Sequence, residues 1–438
     1  MSGATAPPPP PPPGAAARRG AAARPEDAHR FPCDACGSDM RFDPEARALR
    51  CPHCGNMELL PPPDPSARAL ALREIAIREG LSEDLSALDP SQVEETRVTQ
   101  CPNCGARTEL DEAVRAARCP FCDTPLVRET VSDRHIKPAA LLPFALSEPQ
   151  AKEAMRRWLG SLWFAPNGLQ RYARQGRPLS GMYIPYWTFD ARSDTRYRGQ
   201  RGDNYVVHRQ VVVDGKPRTV AEVRVRWRPA SGRVRMAFDD VLAVGSTSLP
   251  PAMAEGLEPW DLRELEPYRP AMVAGFGAEA YTLGLREGLE AARARMEIAI
   301  AGAVRRDIGG DHQRVHESRT ELGDVTFKHV LLPIWIAAYR YRGKSFRFVV
   351  NARTGKVQGE RPYSAVKIAL AVIAGLVVAA LALWLYAAAE GGGFVVGGGW
   401  SGGWSDGGPV PIGGDIGGTY RPPPEIRMPD GSVVILGD

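Results

Sequence analysis

Cysteine placement constrains this chain more than any other feature. All eight cysteines fall in four Cys-x2-Cys pairs, and the pairs form two quartets: Cys33, Cys36, Cys51 and Cys54, then Cys101, Cys104, Cys119 and Cys122. Both quartets read Cys-x2-Cys-x14-Cys-x2-Cys, offset by 68 residues, and both close on Cys-Pro-x-Cys. A repeat at a fixed offset points to duplication of one small unit. Two intervening residues let both sulfurs of a pair face one point, and fourteen between pairs allow a hairpin that brings the pairs together. Four thiolates around a point make a tetrahedron, the coordination of a structural zinc ribbon, with no position left for water or substrate. A redox dithiol is the competing reading of any single Cys-x2-Cys. Two matching quartets favour two structural Zn2+ sites, whose binding supplies folding energy that so small a unit cannot obtain from buried apolar surface. His53 sits inside a closing pair, "CPHC", and with four thiolates already present it reads as a loop residue, not a ligand.

The compartment bears on the cysteines. The N-terminal stretch "MSGATAPPPPPPPGAAARRG" lacks the apolar core of a signal peptide, and its seven prolines favour extended polyproline. A reducing compartment is therefore expected, in which thiolates bind metal. Near the other end, "IALAVIAGLVVAALALWLYAAA" (Ile368–Ala389) is uncharged over 22 residues. As a helix it covers about 33 Å, against about 30 Å of bilayer hydrocarbon, so it reads as a single membrane span. Lys344, Arg347, Arg353, Lys356, Arg361 and Lys367 precede it, whereas no Lys or Arg follows before Arg421. The positive-inside bias puts the large N-terminal portion in the cytoplasm, at the inner membrane.

The expected organisation follows: a disordered Pro-rich tail over 1–30, zinc ribbon 1 over 31–56, and a linker with a short amphipathic helix (Ala67–Glu79) over 57–98. Zinc ribbon 2 occupies 99–126, a mixed α/β domain 136–362, the transmembrane helix 368–389, and a Gly-rich tail 390–438. The fold class is α+β: two small four-cysteine zinc ribbons, a strand-rich mixed α/β central domain, and one C-terminal transmembrane helix. Within the central domain Ser147 and Gln150 form a capping-box start for a helix. "HRQVVVDGKPRTVAEVRVRWRPASGRVRMAF" places turn signals at Asp214-Gly215 and Pro229–Gly232 between β-branched runs, the pattern of an antiparallel meander. Leu283–Arg306 reads as a long helix stopped by Gly309-Gly310. "YIPYWTFDARSDTRYRG" and "VLLPIWIAAYRYRG" share the order Pro, x, Trp, then Tyr-Arg-Gly, through duplication or as two buried aromatic strands.

Enzyme readings find little footing. "DEAV" (Asp111–Val114) lies between ligand pairs, not on the buried strand that a helicase box requires. "GKS" (Gly343–Ser345) lacks the first glycine of a phosphate loop and joins two strands. "GFGAEA" (Gly275–Ala280) has no strand leading into it. Asp307, Asp311 and His312 gather near a Gly-Gly turn, and "FDDV" adds Asp239-Asp240; acids near such a turn more often fix loops and caps than catalyse. No catalytic residue is assigned. The net charge of +4 announces no nucleic-acid binder, and both ribbons are near neutral. Residues 171–236, however, carry 15 Lys or Arg against 5 acids. In "VRVRWR" (Val223–Arg228) alternation puts Arg on one face and Val or Trp on the other. That region could hold nucleic acid or anionic lipid, or be a solvated face with local acid partners. A protein partner is expected for the chain as a whole.

"IKPAALLPF", "LWFAPNGL", "YIPYWTFDA", "RGQRGD", "SLPPAMAEGLEPWDL", "RRDIGGDHQR" and "TFKHVLLPIW" together resemble an uncharacterised bacterial family of membrane-anchored, transcription factor IIB-type zinc-ribbon proteins. Members are often labelled primosomal protein N′ (replication factor Y), superfamily II helicase. That label implies ATP-driven DNA unwinding and a replication or repair role. This chain departs from it at the phosphate loop and the acidic box, and shares with it the paired Cys-x2-Cys units. The expectation carried forward is a binding or scaffold protein at the cytoplasmic membrane face, with a DNA-associated factor as the alternative.

Overall fold

The computed structural model describes residues 31–82, 85–109, 116–127, 130–161, 178–213, 216–341, 344–360, 365–389, 425–427 and 433–435. "DEAV" and the turn signal Asp214-Gly215 lie outside them. The first cysteine unit is a three-stranded antiparallel sheet of β1 (Arg41–Asp43), β2 (Ala48–Arg50) and β3 (Met57–Leu59). Next come α1 (Pro65–Ala71), β4 (Ile75–Ala76) and α2 (Ile77–Gly80). The single helix expected over Ala67–Glu79 is thus broken in two. Ile75 and Ala76 leave it to pair with Phe327 and Thr326, and Gly80 is held so tightly that a Cβ there would come within 2.5 Å of Phe327 and Leu285. Tertiary strand pairing overrides a periodicity only a few turns long.

The second cysteine unit uses β5 (Val93–Gln100), β6 (Arg107–Glu109), β7 (Ala116–Arg118), β8 (Pro125–Val127) and β9 (Thr130–Ile136). They form the sheets β6-β5-β9 and β7-β8. Then follow β10 (Ala140–Leu141) and α3 (Glu148–Ser161), whose start is tied by the Ser147 N–H donating to Gln150 Oε1 at 2.8 Å.

The body is a nine-stranded sheet built on three very long strands, β11 (Ser180–Val213), β12 (Lys216–Val244) and β15 (His312–Tyr341). Around them lie α4 (Pro251–Gly256), β13 (Glu266–Pro267), α5 (Pro270–Val273), β14 (Gly277–Ala278) and α6 (Leu285–Ile308), with β16 (Lys344–Asn351) and β17 (Val357–Gly359) beyond. The path runs β12-β11-β15-β10-β13; β14 also pairs with β11, β4 and β16 with β15, and β17 with β16. β11 pairs antiparallel with β12 on one side and with β15 on the other, so the stretch expected to fold as a meander contributes to a single long hairpin instead. The turn expected at Pro229–Gly232 does not form, and β12 runs straight through. Pro229 is tolerated because β12 is an edge strand, with no ladder partner on its outer side among the described residues. Gly232 is a close-approach glycine: a Cβ there would stand 2.6 Å from Tyr197 Oη and 2.7 Å from Asp307 Oδ2. The two Pro-x-Trp strands lie side by side, Pro185 opposite Leu331 and Pro333 opposite Tyr183.

Side-chain alternation along β11 sorts residues between the sheet's two faces. On the odd face Tyr183 joins Leu331, Trp335 and Phe348 in a core with Phe144, which stacks on Phe276 at 3.9 Å. On the even face Met182, Ile184 and Tyr186 join Leu332, Ile334 and Val349. Burial on both faces is why "YIPYW" and "VLLPIWI" are continuous apolar runs and not alternating ones. Farther along, α6 covers the odd face through Leu289, Met296, Ile300 and Val304, packing on Trp187, Phe189 and Tyr197. It ends at Gly309 and Gly310, both with positive φ (65° and 77°).

The last long element is α7 (Ala365–Ala389). Lys367–Tyr386 within it is long and apolar enough to cross a membrane, and the side chains from Ile368 to Tyr386 are exposed. A mixed α/β architecture with a large sheet, two four-cysteine clusters and one apolar C-terminal helix is therefore the fold class. β18 (Glu425–Arg427) and β19 (Val433–Ile435) pair with each other.

Candidate metal centres

Each cysteine pair closes a turn of one design. The first cysteine's N–H donates to the carbonyl five residues on, and the N–H four residues on donates back to that cysteine's carbonyl. The pattern holds at Cys33 (2.8 and 2.7 Å), Cys51 (2.8 and 3.0 Å), Cys101 (2.8 and 2.9 Å) and Cys119 (2.9 and 2.9 Å). The residue after each second cysteine must take positive φ. Gly37, Gly55 and Gly105 do so without cost, and Asp123 does so at 59°.

The turns bring each quartet's sulfurs together, all four lying within 4.8 Å of one another in both units. Cys33 and Cys54 are 3.6 Å apart, Cys36 and Cys51 3.5 Å; Cys101 and Cys122 are 3.6 Å apart, Cys104 and Cys119 3.6 Å. A tetrahedral ion with metal–sulfur bonds of about 2.3 Å has sulfur–sulfur edges of about 3.8 Å. The separations match those edges and are far longer than a disulfide. Each cluster could therefore hold one metal ion, with all four positions supplied by the chain. His53 is exposed in its turn and belongs to neither cluster.

Within each quartet the crowded sulfurs divide, some favouring thiolate and others holding the proton, as Cys54, Cys101 and Cys119 do. The N–H of Cys54 donates to Cys51 and, with other hydrogen bonds, lowers its thiol to about 6. Cys104 is lowered to about 5, chiefly because the Cys119 thiol donates to it. Cys36 moves the other way, to about 12, because it gives up its proton last among crowded sulfurs.

What the sequence could not show is where the units sit. Cys33, Cys51, Met40, Phe42 and Leu49 belong to the odd-face core with Tyr183 and Trp335. Cys101, Cys119, Cys122, Phe121 and Leu126 belong to the even-face core with Met182, Ile184 and Tyr186. The two copies of the repeat thus seal opposite faces of one sheet. Glu279 lies beside the second. It is buried, accepts from the Ser246 hydroxyl at 2.8 Å and from Ser248, and its backbone N–H donates to Tyr183. Burial raises its carboxyl to about 8. No spacing rule marks Glu279, Ser246 and Ser248 as partners, because they meet only after folding.

The other singled-out residues are used locally. Asp307 accepts the Tyr197 hydroxyl at 2.6 Å, Asp311 accepts the Asn204 N–H at 2.7 Å, and His312 meets the Asn204 side chain at 3.0 Å, which fastens the end of α6 and the start of β15 to β11. Asp239 lies with Glu74 and Asp190 in an acidic group where the sheet bulges, and Asp240 pairs with Lys328 at 2.9 Å. Lys344 and Ser345 of "GKS" are strand residues opposite Tyr341 and Arg340.

The chain is similar to the uncharacterized protein YdjG of Bacillus subtilis (strain 168). The two are 29% identical over 343 residues, spanning 77% of this chain and 92% of that protein. No family model matches the chain, so the helicase label finds no support there. No solved structure matches it.

Proposed function

We propose that this protein is a membrane-anchored, non-catalytic binding platform, with two structural zinc ions and its folded portion on the cytoplasmic face. One observation carries the reading: each cysteine quartet gathers four sulfurs around one point and roots at least two of them in the hydrophobic core of one sheet face. Metal so placed holds layers together and offers no position to a substrate. Zinc fits an all-sulfur tetrahedral donor set better than magnesium, calcium or manganese, which take oxygen ligands. The apolar helix α7 supplies the anchor, and the basic residues on its N-terminal side support the cytoplasmic placement.

The test is direct. Full-length protein extracted in mild detergent should contain two zinc ions per chain and should fractionate with membranes. Its N-terminal portion should be digested by protease in inverted vesicles and spared in intact spheroplasts. Gentle solubilisation should recover the same co-purifying proteins repeatedly. A zinc-free, fully folded protein, or one found wholly in the soluble fraction, would end this reading.

A further inference from the structure

Beyond the second cysteine unit, no described element covers the sheet's even face. Ribbon-like packing on that face reaches Tyr186, and α6 lies on the other side. From Arg192 to Gln200 the three long strands therefore form an arm with one face packed and one face bare. Antiparallel register decides what the bare face displays. Arg196 is directly opposite Arg233 on β12 and Arg319 on β15, so three guanidinium groups stand in one row across the sheet. The next row outward has Arg198, the next Arg314. Arg314 lies over the Trp227 ring at 3.9 Å. Across the rows from Arg192 to Gln200, seven arginines share the face with Asp194, Glu317 and Glu321.

Local ion pairing does not account for this. Asp194 holds both Arg233 and Arg235, and Asp324 meets Arg192 at 3.5 Å. Arg196, Arg198 and Arg319 are exposed and take part in no ion pair among the described residues. Like charges directly opposite one another destabilise a sheet. With Arg233 held by Asp194, Arg196 and Arg319 stay side by side in the row without a counter-charge, which a polyanion from outside the chain would supply.

Deepening the platform reading above, we propose that this bare arginine face docks a nucleic-acid backbone. The competing polyanion is the anionic bilayer beside the anchor, and the fold argues against it. β17 leads to α7 and pairs through Phe348 to the level of Ala337 on β15. Arg319 lies eighteen residues back along that strand. At about 3.3 Å per residue the arginine row is roughly 60 Å of strand from the end of β17, the last strand before the anchor. Attraction to lipid head groups fades within a Debye length of about 8 Å. A phosphate backbone in solution can reach the whole face.

The experiment uses the full chain in nanodiscs of uncharged phosphatidylcholine, with fluorescent single- and double-stranded DNA and RNA oligonucleotides as probes. Affinity is read between about 50 and 200 mM salt. Two triple variants are compared: Arg196→Ala, Arg198→Ala, Arg319→Ala on the arm, and Arg156→Ala, Arg157→Ala, Arg263→Ala elsewhere, which removes the same charge. The arm variant should flatten the plot of log affinity against log salt by about 2–3, with at least a tenfold loss at low salt, while the control keeps the parent slope. Relief of repulsion should leave the arm variant at least as heat-stable as the parent, so lost binding cannot be lost folding. No oligonucleotide binding at 50 mM salt, equal losses in both variants, or arm-dependent capture of phosphatidylglycerol vesicles with oligonucleotides ignored would each overturn the proposal. Zinc content and membrane residence are measured on the same samples. Two zinc ions in a membrane-bound protein that ignores nucleic acid leave the platform reading standing.

Discussion

Replacing Glu279 with Gln should remove a large part of the protein's pH sensitivity. The carboxyl is buried against the second cysteine unit, and burial raises it to about 8 from an ordinary value of 4.5. Between those limits the folded chain keeps a proton that the unfolded chain has given up. Stability therefore falls as pH rises through that window, because the folded state binds more protons there. At about 1.4 kcal/mol per pH unit, the contribution lost by pH 8 is on the order of 5 kcal/mol. Gln suits the site: its carbonyl can accept from Ser246 and Ser248 as Glu279 Oε1 does, and its amide nitrogen replaces Oε2, which has no hydrogen-bond partner among the described residues. It should behave as the protonated acid does, without the titration. The assay is thermal unfolding of zinc-loaded protein in uncharged detergent from pH 5 to pH 8.5. Wild type should lose several degrees more than Glu279→Gln over that range, and the two should converge near pH 5. Parallel curves would show that Glu279 ionises freely and that the burial argument is wrong.

Four further outcomes are expected. Cys51→Ser and Cys101→Ser should each reduce zinc from two ions per chain to one by elemental analysis, and each should increase binding of a hydrophobic dye, since both clusters sit within cores. Gly288→Ala would put a Cβ 2.5 Å from the Trp187 ring and should cost about 1–3 kcal/mol in denaturant unfolding. Gly302→Ala on the same helix meets nothing closer than the Arg306 guanidinium at 3.5 Å and should stabilise by about 0.5–1 kcal/mol. Leu376→Arg with Leu381→Arg, both in the exposed apolar stretch of α7, should move protein from the membrane to the soluble fraction, each arginine costing about 2.5–3.5 kcal/mol at the bilayer centre.

Features set by spacing of a few residues could be read without coordinates. The eight cysteines, the glycines that follow three of the four pairs, the uncharged run of α7 and the Gly309-Gly310 stop all act within one or two turns of chain, where covalent geometry and hydrogen bonding leave few options. Pairing across long distances in sequence decided the rest. It split the helix expected over Ala67–Glu79, because β15 claimed Ile75 and Ala76. It ran β12 through Pro229–Gly232, because Tyr197 filled the space over the glycine. It set two copies of one repeat on opposite faces of a sheet, buried Glu279 beneath one of them, and lined up Arg196 with Arg233 and Arg319. A one-residue slip in register would turn those arginines to the other face; β11 and β12 are successive strands paired out to Val213 and Lys216, but no local pattern fixes β11 against β15, where Arg196 and Arg319 are more than a hundred residues apart.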